Sequence, residues 1–204
     1  MKDIRCHFRE PSTRVLGPGN RAAIWVSGCE KRCPGCIAED FREDEGIPVS
    51  PEEMADWVLG LPGIDGLTIS GGEPMLQAGP LAGMVDRIRE TRDMGIIVYT
   101  GYYLEELRER EKSDEGISWF LSQIDILIDG PYLREEDHNE PYRGSANQRF
   151  WLLTDRYREV FPDYYEKEKG RKIELKFQPD HTVLVGIPSG DQAALWHRMT
   201  RKGK

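Results

Sequence analysis

Three cysteines within eight residues constrain this sequence more than any other feature. Cys29, Cys33 and Cys36 follow the spacing C-x3-C-x2-C, and the chain contains one further cysteine, Cys6. Cysteine thiolates at such short spacing bind zinc or an iron–sulfur cluster. A structural zinc site is normally closed by four protein ligands, and no histidine follows Cys36 at the spacing of a zinc finger. A [4Fe–4S] cluster on three thiolates would leave one iron open to a substrate.

Cys6 has two interpretations, because it lies far upstream of the other three cysteines. It is either a free or buried thiol, or a fourth ligand that would block the open iron. The second interpretation would suit a non-catalytic interaction module stabilised by a metal, since such a module needs four protein ligands. We favour the first.

The charge and hydropathy of the chain argue against several classes of partner. Its 204 residues carry a net charge of −8 at pH 7, which disfavours sequence-independent binding to nucleic acid. No apolar run approaches the length of a membrane span, and the charged N-terminus lacks the apolar stretch of a signal peptide. We therefore expect a cytoplasmic protein, since thiols stay reduced in that compartment.

Short apolar segments that are separated by helical patterns predict an α/β fold. Residues 1–21 are expected to be a lead-in without a strand of their own. Strands are predicted at residues 22–27, 66–70, 96–100 and 124–128, and helices around 51–61, 81–88, 104–111 and 117–124. Ser50, Pro51 and Glu53 form the start signal of the first helix. The spacing of Leu81, Met84, Val85 and Ile88 predicts the buried face of the second. Three successive strand–helix units imply a parallel sheet with right-handed crossovers.

Several polar residues follow these strands directly. The motif Gly71-Gly72-Glu73-Pro74 comes after the second strand, and Thr100 and Asp129 end the third and fourth. Because ligands collect beyond the carboxyl ends of parallel strands, we expect these residues and the cysteine loop to share one edge. The two glycines would let a ligand approach the backbone closely, and Glu73 offers a carboxylate to an ammonium group.

The cysteine spacing after an apolar strand, together with Gly-Gly-Glu-Pro, resembles the radical S-adenosylmethionine (SAM) superfamily. The resemblance implies a partial (β/α) barrel in which Cys29, Cys33 and Cys36 hold a [4Fe–4S] cluster and SAM chelates the open iron. It also implies a SAM pocket made by Gly71, Gly72, Glu73, Pro74, Thr100, Asp129, Arg143 and Ser145. In that pocket Arg143 would pair with the SAM carboxylate, while Ser145 and Asn147 would hydrogen-bond SAM or hold their own loop.

Within that superfamily, Gly-Pro-Gly-x-Arg at 17–21 before the first strand resembles the opening of glycyl-radical activating enzymes. Two further motifs are similar to those of one such family, the anaerobic ribonucleotide reductase activases. They are Tyr-Thr-Gly-Tyr-x-x-Glu-Glu-Leu at 99–107 and Tyr-Arg-Gly-Ser-x-Asn-Gln at 142–148. The similarity implies an oxidoreductase that cleaves SAM reductively to a 5′-deoxyadenosyl radical and so forms a glycyl radical on a protein partner. It also implies an electron donor of the flavodoxin or ferredoxin type.

The resemblance ends near residue 153, so we divide the chain into a core at 1–153 and a small α+β extension at 154–204. The extension is predicted to contain a hairpin of strands at 172–177 and 182–187 and a helix at 193–199. Residues 37–41 also depart from the activase pattern. A radical SAM enzyme that modifies a peptide or small molecule therefore stays open. A pocket sheltered by residues 155–204 would favour it, whereas an open rim would favour an activase.

Overall fold

The computed structural model describes residues 2–43, 45–167 and 169–200. The strands in this part of the chain are β1 Ile4–Thr13, β2 Arg21–Val26, β3 Ile47–Val49, β4 Gly66–Gly71, β5 Gly95–Tyr99, β6 Ile126–Asp129, β7 Arg149–Leu152, β8 Ile173–Phe177 and β9 Thr182–Gly186. The helices are α1 Pro51–Leu59, α2 Ala78–Thr91, α3 Leu104–Arg110, α4 Glu115–Leu121, α5 Phe161–Glu166 and α6 Gly190–Thr200. None of the described helices has the length and apolar character that crossing a bilayer requires.

Seven strands form one mixed sheet in the order β3-β1-β2-β4-β5-β6-β7. The neighbours β2, β4, β5 and β6 are parallel, whereas β1, β3 and β7 pair antiparallel with their neighbours. The predicted α/β class and its parallel strands are therefore confirmed. Since all four parallel strands point the same way, the loops that leave β2, β4, β5 and β6 lie along one edge of the sheet.

Sequence reasoning missed the outer strands β1 and β3. Residues 1–21 were expected to be a lead-in, yet β1 pairs with both β2 and β3. Register shifts between Cys6 and Phe8 and between Glu10 and Thr13 interrupt its pairing with β2. Such bulges break the two-residue alternation of buried and exposed side chains, so the strand pattern is hidden in the sequence.

The predicted amphipathic helices cover one face of the sheet. In α1 the Ser50 side chain accepts a hydrogen bond of 3.1 Å from the Glu53 amide, as the start signal predicted. Met54 and Val58 are fully buried, and Trp57 packs against the same core from a partly buried position. The predicted inner face of α2 is also fully buried and consists of Leu81, Met84, Val85 and Ile88. Burial of these apolar side chains fixes both helices on the sheet.

The C-terminal extension covers the other face of the sheet. Val185 in β9 is fully buried and packs with Val15, Leu16 and Ala23. Phe161, at the start of α5, packs with a second cluster that consists of Ile97, Ile126 and Ile128. The hairpin β8–β9 is antiparallel as predicted, and α6 begins at Gly190, three residues before its predicted start. The extension is thus packed onto the sheet by its own apolar side chains.

Arg21, from the Gly-Pro-Gly-x-Arg motif, joins the parallel strands at the edge of the sheet where they begin. Its side chain is fully buried. The guanidinium donates to the Thr68 hydroxyl at 2.7 Å, to the carbonyls of Leu67 and Gly95, and to the Tyr157 hydroxyl at 2.9 Å. One buried cation therefore joins β2, β4, β5 and the extension, and its charge is compensated by several acceptors.

Candidate functional site

A cavity of about 210 Å³ lies where the parallel strands end. The three cysteines of the loop after β2 line it, as do Gly71 at the end of β4, Gly72 and Glu73 just beyond it, and Thr100 after β5. These residues were predicted to share one edge, and they line the same cavity. Gly130, which follows Asp129 at the end of β6, completes that edge.

The cysteine loop is held by the segment that returns from it. The Gly28 amide donates to the Phe41 carbonyl at 2.9 Å, and the Cys29 amide donates to the Arg42 carbonyl at 3.0 Å. The Arg42 guanidinium in turn donates to the Cys33 carbonyl at 2.5 Å. These contacts fix the backbone of the loop, while all three cysteines stay partly exposed.

The donor set fits a [4Fe–4S] cluster better than a closed single-metal site. Within the described ranges, no three Cys, His, Asp or Glu side chains are close enough to chelate one metal ion. A cubane cluster places each thiolate on a different iron, so its ligands line a wider space. Burial raises the pKa of Cys29 and of Cys36, because a thiolate is poorly solvated there. Iron coordination would supply the positive charge that stabilises these thiolates.

Cys6 lies in β1, away from this site. It is 6% exposed, belongs to the core between the sheet and the helices, and points its thiol toward the Phe8 carbonyl at 3.6 Å. It does not line the cavity. Burial raises its pKa, as it does for Cys29 and Cys36, so its position away from the cavity is what separates Cys6 from the other three cysteines. The structure therefore supports the interpretation of Cys6 as a buried thiol.

Gly71 and Gly72 are required by the backbone beside them. Gly71 has a φ of 110°, and a Cβ on it would collide with the backbone of Val26. A Cβ on Gly72 would collide with the Gly28 carbonyl. The Gly72 amide donates to the Val26 carbonyl at 2.7 Å, and the Glu73 amide donates to the Gly28 carbonyl at 2.8 Å. The close approach that these glycines permit thus joins the second motif to the start of the cysteine loop.

Glu73 is fully buried, and its carboxylate connects two strand ends. It accepts hydrogen bonds from the Met75 amide at 3.0 Å, the Thr100 hydroxyl at 2.7 Å and the Gly101 amide at 2.8 Å. Burial raises the pKa of this carboxyl, and the three donors oppose that effect. Glu73 therefore caps the turn at 74–77 and fixes the exit of β5 while it contributes to the cavity wall.

Asp129 ends β6 as predicted, but its carboxylate is not part of the cavity wall. It is fully buried and accepts from the Leu104 amide at 2.7 Å, from two nitrogens of Arg149 at 2.6 and 3.0 Å, and from the Trp151 indole at 2.9 Å. Asp129 thus holds the start of α3 and the neighbouring strand β7. The next residue, Gly130, is the one that reaches the cavity.

The predicted SAM residues Arg143 and Ser145 are also occupied by neighbouring groups of the chain rather than directed into the cavity. Arg143 donates to the carbonyls of Ala146 and Gln148 and to the Glu140 carboxylate, at 3.3, 2.6 and 3.0 Å. Ser145 is fully buried and accepts from the Leu133 amide. Neither side chain lines the cavity, whereas Gly144 and Gln148 of the same segment do.

Asn147 holds its loop in place, which is the second of the two roles predicted for it. Its amide nitrogen donates to the Pro131 carbonyl at 2.8 Å, so it ties the 142–148 segment to the exit of β6. The segment therefore reaches the cavity with its backbone held in place by its own polar side chains.

The cysteine loop also contacts the start of α3. The Tyr102 hydroxyl donates to the Glu30 carboxylate, and this hydrogen bond lowers the pKa of that carboxyl. The Lys31 ammonium lies 4.3 Å from the centre of the Tyr102 ring, and Lys31 lines the cavity. Tyr102 thus links the activase-like motif at 99–107 to the cysteine loop.

Five residues from the C-terminal extension line the cavity, and sequence reasoning gave none of them a role. They are Arg171, Ile187, Pro188, Gly190 and Ala193. No local pattern marks them, because they reach the cavity only through long-range contacts of the extension, such as the burial of Val185 against the sheet and the ion pair of Arg171 with Asp137. The cavity is therefore built from both the predicted core and the extension.

Comparisons with known proteins agree with the chemistry of this cavity. Residues 15–151 match the family model described as a 4Fe-4S single cluster domain. An anaerobic ribonucleoside-triphosphate reductase-activating protein from Haemophilus influenzae is 34% identical over 154 residues, which cover 68% of this chain and 91% of the relative. The protein of that name from Vibrio cholerae is 34% identical over 161 residues, which cover 72% of this chain and 97% of the relative. The one from Enterobacteria phage T4 is 28% identical over 151 residues, with 71% and 92% covered.

These matches confirm the family and the enzyme class that the sequence motifs indicated. The domain match confirms the [4Fe–4S] cluster as a cofactor, and the relatives support SAM as the second. The matched region contains the three cysteines, the Gly-Gly-Glu-Pro motif and the Tyr-Arg-Gly-Ser segment. The site and the matches together show that the chain belongs to the family of anaerobic ribonucleoside-triphosphate reductase-activating proteins.

Proposed function

We propose that this protein activates an anaerobic ribonucleotide reductase by forming a glycyl radical on it. The observation that carries the proposal is the single cavity wall shared by Cys29, Cys33, Cys36 and the Gly71–Glu73 backbone. The names of the relatives supply the identity of the partner. When bound, the cluster and SAM supply one electron and a 5′-deoxyadenosyl radical that takes a hydrogen atom from a glycine Cα.

The residues of this chain would hold and orient those two groups. Cys29, Cys33 and Cys36 would bind three irons of the cluster. Gly71, Gly72, Glu73 and Thr100, which line the cavity, would form the SAM pocket, where the negative charge of Glu73 favours the SAM ammonium group. Pro74, also predicted for this pocket, does not line the cavity and would support it from the buried start of the turn at 74–77. The protein thus supplies position and charge, while the cofactors supply the radical chemistry.

Asp129, Arg143 and Ser145 would serve the SAM pocket indirectly. Each of these side chains is held by backbone or side-chain partners outside the cavity. Their contacts fix the loops that carry Gly130, Gly144 and Gln148 to the cavity wall. We therefore propose that they position the pocket and that their backbone neighbours contact SAM.

We propose a partial (β/α) barrel of radical SAM type at residues 1–153, which the four parallel strands and their helices support. The family match ends at residue 151, just before the extension that we assign to residues 154–204. We propose a flavodoxin or ferredoxin as the electron donor, and the cytoplasm as the compartment, since thiols stay reduced there.

One observation favours a second candidate, a radical SAM enzyme that modifies a peptide or small molecule. The extension contributes five residues to the cavity, so the pocket is partly sheltered by this chain itself. Family membership supports the activase instead. The two candidates differ in the molecule that loses the hydrogen atom.

The test is an anaerobic assay of the reconstituted protein. The cluster is reduced with dithionite, SAM is added, and 5′-deoxyadenosine is measured by chromatography with and without the anaerobic ribonucleotide reductase of the same organism. We expect a glycyl radical on the reductase by electron paramagnetic resonance (EPR). This signal should depend on Cys29, Cys33 and Cys36.

Two outcomes would contradict the proposal. If SAM is cleaved but the reductase gains no glycyl radical, the protein acts on another substrate and the second candidate is favoured. If SAM does not change the EPR signal of the reduced cluster, the cluster does not bind SAM and the radical SAM mechanism fails.

A further inference from the structure

The C-terminal extension supplies part of the reactive cavity although it lies beyond the matched region. The family match ends at residue 151, and the cited bacterial relatives are matched over 91% and 97% of their length by about 70% of this chain. Arg171, Ile187, Pro188, Gly190 and Ala193 nevertheless line the cavity together with the cysteines. The extension therefore changes the shape of a site that the core alone would leave more open.

Arg171 attaches the extension to the loop after β6. Its side chain is 2% exposed and forms an ion pair of 2.6 Å with Asp137. The guanidinium also donates to the carbonyls of Arg143 at 2.8 Å, Gly144, and Pro188 at 3.0 Å. Because its donors are directed at these acceptors, Arg171 acts here as a positioning residue, and its charge is not available to a substrate.

Other contacts fix the extension along the N-terminal part of the sheet. The Lys176 ammonium donates to the Ser12 carbonyl at 2.9 Å, and the Glu174 carboxylate accepts from the Arg14 amide at 3.0 Å. Val185 is fully buried against Val15 and Leu16, as described above. The hairpin β8–β9, which leads directly into the wall at residues 187–193, is thus held at three separate places.

The chemistry of this wall suggests what it receives. The cysteines and the Gly71–Thr100 edge are taken by the cluster and SAM in the proposed function, so the substrate meets the rest of the lining. The charged side chains that remain there are paired within the chain, Lys31 with Glu106, Arg42 with Glu39 and Asp137 with Arg171. The extension offers Ile187, Pro188, Gly190 and Ala193, which are small or apolar and carry no charge. An uncharged wall suits an uncharged main-chain segment, and it disfavours a phosphorylated or otherwise charged small molecule.

We infer that residues 187–193 form the surface that receives the glycine-bearing main-chain loop of the protein partner, so that the extension selects which protein is activated. This inference rests on the proposed function. It assigns substrate recognition to a part of the chain that lies beyond the region matched to the family.

Two adjacent alanines of α6 allow a matched test. Ala193 lines the cavity, whereas Ala194 is exposed and does not. In Ala193→Trp the indole would occupy the surface that receives the loop. In Ala194→Trp the same side chain would extend from the same helix into solvent. Both variants keep the Ser189 cap of α6, whose hydroxyl accepts from the Gln192 amide at 3.3 Å.

The readouts are reductase binding, SAM binding and glycyl radical formation by the reconstituted protein. For Ala193→Trp we expect kcat/KM for the reductase to fall more than tenfold and the dissociation constant for the reductase to rise at least tenfold. The dissociation constant for SAM should stay within twofold of the wild-type value. Ala194→Trp should match the wild type in all three measurements.

Two results would overturn the inference. Equal reductase binding and radical formation in Ala193→Trp and Ala194→Trp would show that the extension does not contact the partner. Loss of SAM binding in Ala193→Trp alone would place α6 in the cofactor site instead. Failure of the proposed function would be visible in the wild-type protein itself, as SAM cleavage without a glycyl radical on the reductase.

Discussion

The Thr100 hydroxyl donates a hydrogen bond of 2.7 Å to the buried carboxylate of Glu73 and so joins the ends of β4 and β5 at the cavity. The same hydroxyl accepts from the Tyr102 amide at 3.2 Å, and the second carboxylate oxygen accepts from the Gly101 amide. The strand ends that carry the two motifs are therefore coupled through one carboxylate. A change at Thr100 should affect the backbone of both motifs.

Replacing Thr100 with Val keeps the shape of the side chain and removes its hydrogen bond to Glu73. The buried carboxylate then loses one of its three donors, and we expect the free energy of unfolding to fall by about 1–3 kcal/mol. Urea denaturation measures this change. Thr100→Ser retains the hydroxyl and should recover most of the loss; equal loss in both variants would contradict the role of the hydrogen bond.

Replacement of any one of Cys29, Cys33 and Cys36 with Ala should abolish binding of the [4Fe–4S] cluster, because a cluster held by only three thiolates needs all of them. Iron and sulfide analysis after anaerobic reconstitution measures the effect. Cys6→Ala is the control, because Cys6 is buried in β1 and does not line the cavity. Loss of the cluster in Cys6→Ala would make Cys6 a ligand and close the open iron.

The Arg171–Asp137 pair should make the attachment of the extension sensitive to acid. Burial acts to raise the pKa of Asp137, but the hydrogen bonds and charge of Arg171 outweigh it and hold the pKa below the ordinary 3.8. A carboxyl with a lowered pKa contributes stability that is fully present above its unfolded-state pKa and is lost as the pH falls through its folded-state pKa.

Asp137→Asn tests this dependence. At pH 7 we expect the variant to unfold with a free energy about 1.5–3 kcal/mol below that of the wild type, the range for a hydrogen bond to a charged group. The difference should shrink as the pH falls below about 4, where the wild-type carboxyl begins to protonate. Urea denaturation at pH 7 and below about pH 4 measures this difference in the free energy of unfolding. A difference that is constant with pH would exclude the charge of Asp137 as its cause.

Replacing Tyr99 with Phe should stabilise the protein in the absence of SAM. The Tyr99 hydroxyl is buried and has no hydrogen-bond partner among the described residues, and burial raises its pKa. Removing an unsatisfied buried hydroxyl should raise the free energy of unfolding by about 1–3 kcal/mol. Tyr132→Phe is the matched control at the cavity: it should destabilise, because the Tyr132 hydroxyl donates to Asp137 at 3.0 Å. A loss of stability in Tyr99→Phe would show that its hydroxyl has a partner.

The sequence alone predicted the local elements whose signals are short in range. The helix start at Ser50, the buried face of α2 and the parallel strands were all confirmed, because caps and apolar periodicity act within a few residues. The family was also predicted correctly, since the cysteine spacing and the Gly-Gly-Glu-Pro motif are contiguous in the chain. β1 was missed because bulges interrupt its alternation.

Tertiary structure alone decided where the side chains of the site point. Asp129 and Arg143 follow the predicted elements, yet their charges are neutralised by neighbours outside the cavity, because a buried charge is stable only beside a partner. Arg171 reaches the cavity through its ion pair with Asp137. Ala193 follows a hairpin that is held on the sheet by apolar packing between segments more than 150 residues apart, such as Val15 and Val185. The sequence thus determined the cofactor chemistry of this protein, whereas long-range packing determined which side chains surround it.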